Sequence, residues 1–257
     1  MNEKTVICRL LPLETHDGPL NMAIDEALLT SCEAGGAPLT LRLYAWAAPT
    51  LSLGYFQDAA AAGPRLGGLP VVRRLTGGGA IVHDAELTYS LTWRLSQETG
   101  IPRSASGSYA HFNRALAAAL RNLGVAPDSP AEGDASRAFL CFERRSRYDI
   151  LVRGHKVVGS AQRRRPGAAL QHGSILLGKS AARGVRDLSL SQLVGRAIRM
   201  EEAAGAVGGA FESELGWTFE SARLTADEHR IAQELRTDKY SHVAWGGRRS
   251  PHRSKAD

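Results

Sequence analysis

The stretch Tyr148-Asp-Ile-Leu-Val-Arg-Gly-His-Lys-Val-Val-Gly-Ser-Ala-Gln162 decides the fold class of this chain. Its two runs of apolar and small residues, 148–152 and 156–163, flank Arg153-Gly154, a dipeptide typical of a tight turn. A second turn signal, Pro166-Gly167, leads into a third run over 169–177. We therefore predict three consecutive strands joined by short turns.

Toward the N-terminus, the sequence predicts further strands separated by helices. The strands are expected at 5–13, 39–44, 50–53, 71–73 and 87–93. In the second of these, Leu39, Leu41 and Leu43 alternate with Thr40, Arg42 and Tyr44, the pattern of a half-buried strand. Apolar residues at helical spacing predict one helix after Gly18-Pro19 and another at about 109–123, capped by Ser106 or Ser108.

The last third of the sequence is predicted to be mostly helical, and Thr225-Ala-Asp-Glu228 is a capping-box pattern that opens a helix toward Lys239. The predicted fold class is α+β, a mixed β-sheet packed with helices and followed by a small C-terminal helical region. We predict one catalytic domain over residues 1–245, with the helical part beginning at about 180. Residues 246–257 are rich in Gly, Ser and Arg and are expected to form a basic, disordered tail.

Composition narrows the functional classes. The formal net charge is +6, and the segment 246–257 carries half of it, so the remainder is a weak basis for nucleic-acid binding. The three cysteines show no metal-ligand spacing and no disulfide pattern, which predicts no metal site and a reducing, cytoplasmic location. The longest uncharged run, 43–57, is shorter than the ~20 residues of a membrane span, so no membrane partner is expected.

The first candidate site segment is Arg73-Arg-Leu-Thr-Gly-Gly-Gly-Ala-Ile-Val-His-Asp84. Consecutive glycines let a ligand approach the main chain closely, and their N–H groups can bind an oxygen atom. Two arginines would add forked cationic donors. Taken alone, the segment fits a glycine-rich hairpin with two solvated arginines better than it fits a binding site.

The second candidate segment is the predicted strand that Lys156 opens, and the third is the run around His172. Lys156 either faces a pocket or lies on an exposed turn, where truncation would cost little stability. His172 is either a pocket residue or a structural histidine. Among the cysteines, Cys8 and Cys32 fit the pattern of buried small hydrophobes.

Together these segments resemble the lipoate branch of the biotin/lipoate protein ligase family. The matching pieces, in the family's order, are Asn21-Met-Ala-Ile-Asp-Glu-Ala-Leu28, Pro49-Thr-Leu-Ser-Leu-Gly54 with Gln57, Arg73 through Asp84, Gly154-His-Lys-Val-Val-Gly-Ser-Ala-Gln162 and Gln171-His-Gly-Ser174. The resemblance covers residues 10–177 and implies a catalytic domain like that of class II synthetases and biotin protein ligases, with an acyl-binding cleft.

Two chemistries share this scaffold. One is an ATP-dependent lipoate ligase, which would need Mg²⁺ and a nucleotide. The other is a cofactor-free octanoyltransferase that forms a cysteine thioester. Asp84-Ala-Glu-Leu-Thr-Tyr-Ser90 resembles the cysteine-type transferases, which also place their nucleophile where Leu140-Cys-Phe142 stands. A non-enzymatic binder of acidic partners is a third, distant reading that rests on the arginines alone.

The resemblance therefore implies Cys141 as the nucleophile and Lys156 as its catalytic partner, since a nearby ammonium favours the thiolate. The implied substrate-binding residues are Arg73, Arg74, Gly77, Gly78, Gly79, His83, Gly159, Ser160, Ala161 and His172. Octanoyl-acyl carrier protein is the implied donor. The implied acceptor is a lipoyl carrier domain or the glycine-cleavage H protein. A monomer is the expected state. The arginines of 144–165 either form a basic rim that would attract an acidic carrier or are solvated residues of strand ends and turns.

Overall fold

The structure is a computed structural model that describes residues 5–62, 68–95, 99–129, 146–180, 182 and 188–247. In chain order the strands are β1 (Val6–Leu10), β2 (Glu14–His16), β3 (Thr40–Trp46), β4 (Thr50–Leu53), β5 (Val71–Arg73), β6 (Ile81–His83), β7 (Glu86–Arg94), β8 (Ile150–Val152), β9 (His155–Arg164), β10 (Ala168–Leu176) and β11 (Trp217–Ser221). The α-helices are α1 (Gly18–Glu33), α2 (Ala105–Asn122), α3 (Leu190–Val194), α4 (Met200–Leu215), α5 (Ala226–Leu235) and α6 (Val243–Gly246).

The larger of two sheets has the strand order β11-β1-β3-β7-β10-β9-β8, with β2 beside β3. Strand β1 is parallel to both of its neighbours, β11 and β3. The neighbours β3 and β7, β7 and β10, β10 and β9, and β9 and β8 are antiparallel. The smaller sheet has the order β5-β4-β6. The predicted α+β class and mixed sheet are confirmed, as are the three consecutive strands from which the prediction started.

The two faces of the large sheet are covered by different helices. Along β10, Ala169 and Ile175 belong to the core that includes Phe112 of α2 and Phe211 of α4. Leu170 packs instead with Leu29 of α1. Because side chains of a strand alternate between faces, α2 and α4 lie on one face of the sheet and α1 on the other. Helix α1 also contacts β5 of the small sheet and so lies at the junction where the site is found.

Helix boundaries follow their caps. The Asp17 carboxylate accepts the N–H of Leu20 at 2.8 Å and begins α1, with proline in its first turn. The capping box predicted at Thr225 is confirmed and begins α5. The predicted start of α2 is wrong, because Ser104 is the cap and accepts the N–H of Gly107 at 3.0 Å. The serines at 106 and 108 lie inside the helix.

Strand β3 is not half-buried as predicted, since Arg42 is only 2% exposed and Tyr44 is fully buried. Strand β11 was not predicted. It pairs in parallel with β1, although the two strands lie near opposite ends of the sequence. Gly246, the first residue of the predicted tail, ends helix α6, and its main-chain oxygen accepts a hydrogen bond from Arg73. The predicted division into a catalytic domain and a tail stays a prediction. Residues 248–257, the rest of the predicted tail, lie outside the described part of the chain.

Candidate active site

A pocket lies where α1, the small sheet and the strands β7, β9 and β10 meet. It has about 360 Å³ of empty volume, open solvent at its mouth included. Its lining residues are Met22, Tyr44, Trp46, Arg74, Ile81, His83, Thr88, Gly159, Ser160, Ala161, His172, Gly173 and Ser174.

Asp25 of α1 organises one side of the pocket. Its carboxylate is fully buried and accepts hydrogen bonds from Arg42, Tyr44, Ser90 and His172, at 2.8–3.0 Å. Burial raises the pKa of this carboxyl, but the hydrogen bond from His172 and the charge of Arg42 outweigh burial and leave the pKa below its usual range. Asp25 is therefore a carboxylate at neutral pH, and it fixes the ring of His172.

Glu86 organises the opposite side in a similar way. Its Oε1 lies 2.6 Å from Nδ1 of His83 and accepts the hydroxyls of Thr88 and Ser174. The ring of His83 also stacks on Trp46, with centroids 3.8 Å apart and planes at 8°. Like His172, His83 is thus held by a buried carboxylate on one nitrogen.

Arg74 connects the two sides. Its Nε donates to Oγ1 of Thr76 at 3.1 Å, and its Nη1 donates to Oγ of Ser52 at 3.1 Å. These hydroxyls lie 2.7 Å and 2.6 Å from Nε2 of His172 and His83, respectively. Since arginine can only donate, each hydroxyl is free to give its own proton to the imidazole. Both rings then carry their proton on Nδ1, facing the carboxylates.

The arginines and glycines of the 73–84 segment do not form an exposed anion cradle. Both arginines are buried, so the reading as solvated arginines is wrong. Nη2 of Arg74 donates to the carbonyls of Gly77 and Gly79, at 2.8 and 2.6 Å, so the loop wraps around the guanidinium. Gly78 has φ +93°, which favours glycine. The three glycines are not among the lining residues of the pocket, and their predicted contact with substrate remains a prediction.

Lys156 is not on an exposed turn. Its Nζ lies 2.9 Å from Asp149 Oδ2, and both side chains are almost completely buried. The register between β8 and β9 shifts between Ile150 and Leu151, where Leu151 pairs with Lys156. Such irregularities redirect side chains and are common beside active sites. The expectation that truncating Lys156 costs little stability is therefore wrong.

The two described cysteines behave as predicted for buried apolar side chains. Burial raises the pKa of Cys8 to about 12 and that of Cys32 to about 11. Both are thiols at neutral pH and therefore poor nucleophiles. Cys141 lies outside the described residues, so its role and its distance from Lys156 stay predictions.

The described cations of the predicted basic rim lie in different parts of the structure. Arg153 lies in the turn before β9, whereas Arg163 and Arg164 lie at the far end of that strand. Arg165 is paired with Glu26 and Glu33, and Lys156 with Asp149. Arg144 and Arg145 lie outside the described residues, so the rim as a whole stays a prediction.

Six of the ten predicted substrate-binding residues line the pocket: Arg74, His83, Gly159, Ser160, Ala161 and His172. Sequence reasoning missed its bulky walls, Met22, Tyr44 and Trp46. Met22 stood in a quoted motif, and Tyr44 was assigned to a solvent face by strand alternation. Across the described ranges there is no cluster of three or more His, Cys, Asp or Glu side chains suited to a metal ion. Nor does any described helix have the length and apolar character needed to cross a membrane.

The mixed sheet, the small sheet and the pocket between them define a catalytic domain of the α+β class. The chain belongs to the lipoyl protein ligase A/B catalytic domain family, whose family model matches residues 17–183. Relatives named octanoyltransferase LipM include those of Symbiobacterium thermophilum, 38% identical over 94% of this chain and 98% of theirs, and Moorella thermoacetica, 39% identical with the same coverage. These relatives identify the enzyme as an acyltransferase, an octanoyltransferase of lipoate biosynthesis.

Solved structures agree on the fold. A lipoate-protein ligase A bound with ATP superimposes with a TM-score of 0.78 at 26% identity and covers 95% of this chain and 99% of its own. A lipoate protein ligase from T. acidophilum with bound lipoic acid gives the same TM-score, identity and coverage.

Proposed function

We propose that the enzyme takes an octanoyl group from octanoyl-acyl carrier protein onto Cys141 and passes it to a lysine of a lipoyl carrier domain, such as the glycine-cleavage H protein. The observation that carries the proposal is the pocket, whose walls include the Gly159-Ser160-Ala161 run of β9, the strand that also holds Lys156. We further propose that the enzyme acts as a cytoplasmic monomer and requires no cofactor.

The pocket supports an acyl substrate because its polar groups already have partners. The carboxylate of Asp25 accepts four protein donors, Oε1 of Glu86 faces three, and both histidines are hydrogen-bonded on each nitrogen. A chain that needs no hydrogen bonds is the substrate that such walls favour. Burying the six methylenes of an octanoyl group at ~0.8 kcal/mol each contributes roughly 5 kcal/mol to binding.

In the proposed first step, the thiolate of Cys141 attacks the thioester carbonyl of the donor. The new carbon–sulfur bond forms as the carrier's sulfur leaves with its electron pair and takes up a proton. In the second step, the neutral amine of the acceptor lysine attacks the acyl-enzyme. The C–N bond forms, the Cys141 sulfur leaves, and the amine loses one proton to give the amide. The ammonium of Lys156, held by Asp149, would favour the thiolate in both steps.

The test is to incubate the enzyme with octanoyl-acyl carrier protein in the absence of ATP and to measure its intact mass. We expect a covalent octanoyl adduct that maps to Cys141 and disappears in Cys141→Ser. Adding an apo lipoyl carrier domain should move the adduct to that protein.

An adduct that forms only with free acid, ATP and Mg²⁺ would instead identify a lipoate ligase. A product without any enzyme adduct would contradict the thioester intermediate.

A further inference from the structure

The segment Arg236–Tyr240 together with helix α6 lies beyond the matched family region, which ends at residue 183. We call residues 236–246 the C-terminal segment. It packs directly behind one wall of the pocket: Met22, a lining residue, clusters with Tyr240 of this segment and with Trp46 and Trp245. The pocket wall is thus supported by residues more than 200 positions away in sequence.

A reciprocal pair of hydrogen bonds fixes Trp245 to Arg73. The indole Nε1 donates to the main-chain oxygen of Arg73 at 2.9 Å, and Nε of Arg73 donates to the main-chain oxygen of Trp245 at 3.1 Å. Nη2 of Arg73 donates in addition to Gly246 at 3.1 Å. One buried guanidinium therefore binds the C-terminal segment at two consecutive carbonyls.

The same guanidinium holds the turn after β4. Its Nη1 donates to the carbonyls of Gly54, Tyr55 and Gln57, at 3.0, 3.2 and 2.6 Å. This turn contacts the glycine loop so closely that a Cβ on Gly54 would lie 2.1 Å from the carbonyl oxygen of Gly78. The contacts thus run from Trp245 through Arg73 to the loop that encloses Arg74, a lining residue.

Glu26 anchors the other end of the C-terminal segment to α1. Its Oε2 accepts Nζ of Lys239 and the hydroxyl of Tyr240, each at 2.6 Å, and its Oε1 accepts Arg165 at 3.1 Å. The ammonium of Lys239 also lies 4.3 Å from the ring centroid of Trp245. The C-terminal segment is therefore bound at two places behind the pocket, to Glu26 and to Arg73.

We propose that Trp245 is a positioning residue that sets the length of acyl chain the pocket accepts, by holding the Met22–Trp46 wall and the 54–57 turn in place. This inference rests on the proposed octanoyl transfer. Loss of Trp245 loosens the wall without touching the reacting atoms, so its effect falls on chain-length selectivity. Each additional methylene that a loosened wall admits is worth about fourfold in kcat/KM.

The experiment compares octanoyl- and decanoyl-acyl carrier protein as donors and measures kcat/KM for transfer to an apo lipoyl carrier domain. In Trp245→Ala we expect the decanoyl-to-octanoyl ratio to rise by about fourfold or more. Trp245→Phe keeps a ring but loses the indole hydrogen bond, so we expect a smaller rise in the same direction. Arg73→Lys, which loses the forked contacts, should raise the ratio as well.

Trp217→Phe is the matched control. Trp217 is 3% exposed and packs with Phe112 and Phe211 on the opposite face of the sheet, and none of the described residues is a hydrogen-bond partner of its indole nitrogen. We expect a lower melting temperature with an unchanged ratio. If Trp245→Phe and Arg73→Lys also leave the ratio unchanged while the wild type transfers octanoate, the inference is overturned. If the wild type transfers neither chain, the proposed function itself fails.

Discussion

Asp25 and His172 are 147 positions apart in sequence, yet Oδ2 of the aspartate lies 3.0 Å from Nδ1 of the histidine. The first belongs to α1 and the second to β10. This contact joins the helix to the floor of the pocket, and the same carboxylate pairs with Arg42 at 3.0 Å. The Asn21–Leu28 motif thus acquires a physical role that its sequence pattern did not reveal.

We expect Asp25→Asn to lower the free energy of unfolding by about 3–5 kcal/mol at pH 7, because Arg42 is left as a buried charge without its partner. Since the folded-state pKa of Asp25 is depressed, its contribution is present above the unfolded value of about 3.9 and is lost as pH falls through the folded pKa. Urea unfolding at pH 7 and pH 3 should therefore show a smaller difference between variant and wild type at the lower pH.

Glu234→Gln serves as the control for this measurement. Glu234 is an exposed carboxylate that pairs with Arg230 at 2.8 Å. Exposed pairs contribute little to stability, so we expect no measurable change at either pH. An equal effect from both variants would mean that the Asp25 network does not stabilise the fold.

Lys156→Ala should destabilise the enzyme as well as slow transfer. Removing the ammonium leaves the Asp149 carboxylate buried and unpaired with lysine, at a cost of about 3–5 kcal/mol. The double variant Lys156→Ala/Asp149→Ala should recover part of that loss, because both charges are then absent. Chemical denaturation of the two single variants and the double variant measures the coupling, and strictly additive effects would contradict a direct ion pair.

Much of this architecture could be predicted because its signals are local. Arg153 and Gly154 have positive φ, at 50° and 75°, and their identity alone predicted the hairpin between β8 and β9. The start of α5 was predicted from Thr225 and Glu228, which are three residues apart and form its capping box. Both predictions needed only neighbours in sequence, and both are confirmed.

The errors concern residues whose environment is set by distant parts of the chain. Arg42 was assigned to solvent because a charged residue in a strand is usually exposed, and only its ion pair with Asp25 explains why it is buried. Strand β11 is short and is defined by parallel pairing with β1, from Val6 with Trp217 onward. A local sequence pattern does not predict partners so far apart in the chain.

Alkylation should distinguish the cysteines without any mutation. The pKa values of Cys8 and Cys32 are raised to about 12 and about 11, so hardly any thiolate exists at either position at pH 8. Both side chains are also fully buried. Under native conditions we therefore expect iodoacetamide to add a single group, at Cys141, as judged by intact mass and peptide mapping. Modification of Cys8 or Cys32 at a comparable rate would contradict their burial.

The glycine loop allows two effects of an added side chain to be separated: backbone strain and displacement of the neighbouring guanidinium. Gly78 has φ +93°, and a Cβ there would lie 3.0 Å from Nη2 of Arg74. Gly78→Ala should therefore combine a backbone strain of about 1–3 kcal/mol with displacement of the guanidinium that anchors both histidine networks. Gly68 has φ +84°, and no atom of the described residues lies within 4 Å of its Cβ position, so Gly68→Ala serves as the measure of strain.

We expect Gly78→Ala to lower the melting temperature more than Gly68→Ala does, and to slow the transfer of octanoyl and butanoyl groups by similar factors. The reason is that the glycine shapes the loop around Arg74 and is not a lining residue of the pocket. Transfer rates for both donors, together with melting temperatures for both variants, decide the matter. A selective loss of octanoyl transfer at an unchanged melting temperature would instead place Gly78 against the acyl chain.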